Sequence, residues 1–112
     1  MSVGAFPAQQ TVVKPSSATA ITPNLSGSGV TTATTSSSPV TVTLPANAPV
    51  GFQFAVTQLG TGQVTFSPAS GASLRHPLGA TKIAGRYGTA TLVVGSNSNG
   101  ASAEWVLSGY VS

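Results

Sequence analysis

The chain has 112 residues, one domain's length, and only 4% of them are charged, with four Lys or Arg set against a single acid. Four dispersed cations and a net charge of +3 are too few to track a nucleic-acid backbone, which takes a cluster of Lys and Arg. Without Cys there is no disulfide or thiolate metal site, and no apolar run approaches the ~20 residues of a membrane-crossing helix.

A soluble chain with no nucleic-acid and no membrane partner is therefore expected, its surface hydrated by Ser, Thr, Asn and Gln. The opening "MSVGAFPAQQ" has neither the basic nor the apolar block of a secretory signal.

Residues 1–38 are rich in Ser, Thr, Ala and Pro, with "SGSG" at 26–29 and "TTATTSSS" at 31–38. Such composition buries little apolar area, so an extended N-terminal arm is expected, disordered alone and ordered on a partner. Within it "TVV" at 11–13 and "ATAIT" at 18–22 suit short strands. Phe6 stands before Pro7 with no apolar neighbours, and with Val12, Val13 and Ile21 it forms the set expected to dock.

From Pro39 the period becomes two, and residues 39–112 are expected to form a separate β-knob. Val40, Val42 and Leu44 alternate with Thr41 and Thr43 between Pro39 and Pro45. Phe52, Phe54 and Val56 alternate next, "GTG" follows at 60–62, and Val64 and Phe66 resume the pattern. This spacing predicts a β-hairpin over 52–67, with the glycines at its turn.

"SPASGASLRHPLGA" (67–80) reads as an irregular loop, Lys82–Ala84 as a short strand and "GRYG" (85–88) as a corner. "TATLVV" at 89–94 is a strand, "GSNSNG" a turn, and "AEWVLSGYV" at 103–111 a closing strand. No segment has helical periodicity. The expected fold is all-β, a small antiparallel β-sandwich or jelly-roll-like barrel carrying the arm.

Catalytic chemistry is sparse. With no Asp and one Glu, neither a Ser-His-Asp triad nor a carboxylate pair can be assembled, so no enzyme, no catalytic residue and no cofactor is expected. His76 reads as a loop histidine bonded locally, or in a trimer as one of three axial ligands. Glu104 is expected to pair with Arg75, Lys82 or Arg86. No helix follows "GTG" or "SGSG", so neither cradles phosphate.

Phe52, Phe54, Val64, Phe66, Leu92, Trp105 and Leu107 are the expected core, and in an oligomer the shared faces. Tyr87 and Tyr110 are the aromatic candidates for stacking on a sugar. Trp105 could join them, although its alternating strand argues for burial with its N–H bonded inside.

The segments "PVTVTLP", "GFQFAVTQLGTGQVTFSPASG", "TKIAGRYGTATLVV" and "EWVLSGYV" together resemble the small β-domains of bacteriophage tail fibres and of phage head-decoration (cement or head-fibre) proteins. The resemblance implies a virion structural protein made in the host cytoplasm: a homotrimer on the capsid surface that docks on the major capsid protein and stabilises the shell. The alternative it implies is a tail-fibre or receptor-binding tip recognising a host surface glycan. A thin knob has a marginal core, so three subunits are expected to share their apolar faces.

Overall fold

A computed structural model describes residues 11–26 and 28–112, and Phe6 lies outside them. Nine strands form the regular structure: β1 (Thr11–Val13), β2 (Ala20–Ile21), β3 (Thr31–Thr34), β4 (Val40–Leu44), β5 (Gln53–Gln58), β6 (Val64–Pro68), β7 (Ser73–Arg75), β8 (Thr89–Ser96) and β9 (Glu104–Gly109). The described residues contain no helix, in keeping with the absence of a 3.6-residue pattern.

The strands make a six-stranded sheet in the order β1-β3-β5-β8-β9-β7 and a three-stranded sheet in the order β2-β4-β6. Up to β6 the chain crosses from one sheet to the other at every step, and each strand lies parallel to the one two before it. The first six strands are therefore wound as stacked two-strand coils. Thr31 has Thr11 on one side and Ala55 on the other, while Val42 stands beside Ile21 and Phe66.

After β6 the winding stops. β8 runs antiparallel to β5 and β9, with a register shift between Val94 and Ser96, and β7 closes the sheet parallel to β9. Single bridges Thr65–Lys82 and Ile83–Val111 continue the smaller sheet.

Three expectations need correction here. The large sheet is mixed and the strands of the small one are all parallel, so parallel pairs predominate where antiparallel ones were expected. The hairpin over 52–67 does not form, because β5 and β6 belong to different sheets and neither is the other's neighbour. Residues 67–80 are not wholly irregular, since they contain the end of β6 and all of β7.

The glycines at 60 and 62 have another purpose than a hairpin turn. Neither has a positive φ. Their corner instead lies directly on the preceding coil's corner at 34–38, where Leu59 and Gly60 N–H donate to Thr34 O and Gly62 N–H donates to Ser36 O at 2.9 Å. A Cβ at Gly60 would stand 2.1 Å from Ser36 O, and one at Gly62 1.9 Å from Ser38 O. The serine run shapes the lower corner, with Ser36 Oγ donating to Ser38 O and accepting from Ser38 N–H. Buried Gln58 braces the upper one, accepting from Val64 N–H and donating to Gly60 O.

The expected boundary between residues 38 and 39 does not separate two bodies. β3 is hydrogen-bonded to β5 and β2 to β4, so the described part of the arm belongs to both sheets. Ile21, expected to dock on a partner, is buried in the chain's own core.

That core is a single cluster drawn from both sheets. Phe52, Phe54, Val64, Phe66, Leu92, Trp105 and Leu107 are all in it, each at most 4% exposed. The alternating faces of β4, β5, β6, β8 and β9 thus find their apolar partners within one chain, and the sharing of these faces among three subunits loses its physical premise. Trp105 sits at the centre, edge-on to Phe52 and Phe54 at centroid distances of 5.9 and 5.6 Å. Its Nε1–H donates to Pro45 O at 2.9 Å, so the indole is buried without an orphaned donor.

Candidate binding corner

Residues 85–88, "GRYG", form a tight corner between the bridge at Ile83 and the start of β8, closed by Gly88 N–H donating to Gly85 O. The end of β5 holds it in place: Tyr87 N–H donates to Gln58 O at 2.6 Å, and Gln58 N–H donates to Gly88 O at 3.0 Å. Between these anchors Tyr87 adopts φ 70°, alone among the described non-glycine residues in that region. A Cβ-bearing residue there stores strain of about 1–2 kcal/mol, and such strain gathers at working sites.

The conformation turns Tyr87 outward, leaving it 67% exposed. Arg86 sits beside it with its guanidinium carbon 4.8 Å from the Tyr87 ring centroid and its Nε–H donating to Leu59 O at 2.9 Å. The guanidinium is thus held at two points, over an aromatic face and against a backbone carbonyl.

Tyr110 flanks the same corner. Its carbonyl accepts from Ala84 N–H and its own N–H donates to Thr89 O, while the side chain remains 61% exposed. The ring crosses directly over the corner's glycines, so a Cβ at Gly88 would lie 2.6 Å from ring Cδ2 and one at Gly85 3.6 Å from Cε2. Gly88 is required by this close approach, whereas a Cβ at Gly85 would make only ordinary contact. The result is a surface of two phenols, a tethered guanidinium and the half-exposed Leu59.

No carboxylate neutralises that cation. Glu104 is the chain's one acidic side chain, and it pairs with Arg75 at 3.5 Å between β9 and β7, one of the three pairings expected for it.

The other candidates are dispersed. Val13 on β1 is 61% exposed and Val12 half-buried, at the opposite edge of the large sheet from β7. His76 Nδ1 accepts from Leu78 N–H at 3.1 Å and Ala80 N–H at 3.2 Å, which is the local loop arrangement. No group of three metal-ligating side chains occurs among the described residues. A cleft of about 270 Å³ opens near β1 and β2, lined in part by Val12, Lys14, Ile21, Asn24 and Phe54.

Tyr87 and Tyr110 are therefore brought to one corner, whereas Trp105 is kept away from it in the core. Sequence reasoning missed Arg86 and Leu59 as its members. The signal for Arg86 was its position between Gly85 and Tyr87; Leu59 had none, since a strand end distant in the chain supplies it.

No protein-family model and no curated protein matches the chain.

Proposed function

We propose that this chain is a non-enzymatic structural protein of a bacteriophage virion, and that it binds a host surface glycan through the corner of Tyr87, Tyr110 and Arg86. The observation that carries the reading is Tyr87, kept exposed at φ 70° by a fold that would be relieved of strain by glycine. Exposed aromatic rings suit the apolar faces of pyranoses, and phenol and guanidinium groups suit their hydroxyls. The viral setting is supported by the resemblance of residues 39–112 to phage fibre and head-decoration domains. We read the two sheets on one core as the layers of a small sandwich.

Titration against a panel of bacterial surface oligosaccharides tests the binding. Saturable binding is expected, reduced about five- to thirtyfold in Tyr87→Ala and Tyr110→Ala with the fold retained, since each lost stacking contact is worth about 1–2 kcal/mol. Equal affinity in both variants would remove the corner from the account.

A second reading, decoration of the major capsid protein, is favoured by one observation: β1 forms the edge of the large sheet among the described residues, with Val13 exposed on it. An exposed edge accepts a partner's strand through main-chain bonds. Co-sedimentation with undecorated capsids, abolished by Val13→Pro, tests this. In either reading a homotrimer would have to be built from exposed positions such as Val13, Val50 and Leu78, and native mass spectrometry reads the subunit number.

A further inference from the structure

We infer that the corner is selective for acidic saccharides, pyranoses carrying a carboxylate, over neutral ones of the same shape. This rests on the glycan reading above and names its ligand class. Arg86 carries a guanidinium with no acidic partner among the described residues, Glu104 being the sole acidic side chain and bonded to Arg75.

An exposed arginine ordinarily wanders, and the entropy of holding it still offsets most of what an ion pair contributes. Here that ordering is already done. Nε–H is committed to Leu59 O, and the guanidinium carbon is held over Tyr87. The two Nη groups remain, and their parallel N–H bonds match the two oxygens of a carboxylate.

The backbone geometry sets the spacing. Arg86 is adjacent to the residue held at φ 70°, and the Tyr110 ring crosses the glycines on either side of the pair. A pyranose stacked on an exposed tyrosine would thus carry its ring substituents past a fixed guanidinium. A neutral sugar leaves those Nη donors to water, while a uronic acid engages both. Lysine would keep the charge but lose both the fork and the tether.

The test compares oligogalacturonides with their methyl esters, which have the same rings and no charge, by calorimetric titration at low salt. The free acid is expected to bind about tenfold more tightly than the ester, the worth of one preorganised charged hydrogen-bond pair. Arg86→Gln should abolish the difference and Arg86→Lys most of it, whereas Arg75→Gln, with the same change in net charge, should preserve it.

Equal binding of acid and ester to the unaltered protein overturns the inference and leaves the glycan reading intact. Loss of the preference in Arg75→Gln equal to that in Arg86→Gln also overturns it, by showing a diffuse field in place of a site. Absence of binding by acid, ester and a neutral bacterial oligosaccharide panel brings down the glycan reading itself.

Discussion

Gly62→Ala tests whether the 60–62 corner is a site of close approach. The new Cβ would lie 1.9 Å from Ser38 O, so that carbonyl must retreat by roughly 1.5 Å before the contact becomes ordinary. It belongs to the serine turn below, and its retreat opens the Ser36 Oγ–Ser38 O bond of 2.9 Å and stretches the Gly62 N–Ser36 O bond of 2.9 Å. Overpacking costs about 1–3 kcal/mol and a weakened hydrogen bond adds about 1 kcal/mol, so a loss near 3 kcal/mol is expected. In a domain of this length that lowers Tm by roughly 10–20 °C.

Thermal and urea unfolding, followed through the fluorescence of the single, fully buried Trp105, measures the effect. Gly95→Ala is the control: its Cβ would meet Val106 Cγ2 at an ordinary 3.6 Å. Gly62→Asn separates the two roles a glycine can have. Asn tolerates positive φ, so it would rescue a turn glycine, but its larger side chain worsens a steric conflict. An Asn variant more stable than the Ala variant, or an Ala variant no worse than Gly95→Ala, would refute the reasoning.

Deleting residues 1–38 should leave no cooperative unfolding transition, because it strips β3 from β5 and uncovers one side of the core; a well-dispersed NMR spectrum from 39–112 alone would restore the arm-and-knob division. Thr34→Val should raise stability by about 1 kcal/mol in calorimetry, since Thr34 Oγ1 is buried with no partner and valine has its shape. A comparable loss would show that the hydroxyl is bonded. Tyr87→Gly should keep or raise Tm, relief of about 1–2 kcal/mol of strain outweighing the added chain entropy, while saccharide affinity falls; a clear drop in Tm would mean that Tyr87 is structural.

The faces of the strands were legible in the sequence, and their neighbours were not. Alternation at 40–44, 53–58, 64–66, 89–94 and 104–107 correctly marks Val42, Phe54, Val64, Leu92 and Trp105 as inward, because a period of two reports burial on one face whatever lies alongside. The same pattern is silent on whether the next strand is parallel or antiparallel. Glycine is ambiguous in the same way, since a residue needed for positive φ and one needed for clearance are written alike. Residues 1–38 read as an extended arm, ordered only on a partner, because the buried run of β3 is Thr32, Ala33 and Thr34, small and polar groups that bury only when strands stand on either side. Tyr87 and Tyr110 could be singled out as aromatics without a core pattern, but Arg86 meets Leu59 through a hydrogen bond spanning 27 positions, which no local window contains.

The parallel stacking of the first six strands sets rules for how this chain can change length. A segment inserted as one complete circuit, crossing both layers and returning, would find the same kind of rung beneath it and offer the same kind above, leaving β8 and β9 undisturbed. One extra residue inside β4, by contrast, would turn Val42 or Leu44 outward and place a threonine in the oil. Growth by whole circuits is conservative here, and growth by single letters is not.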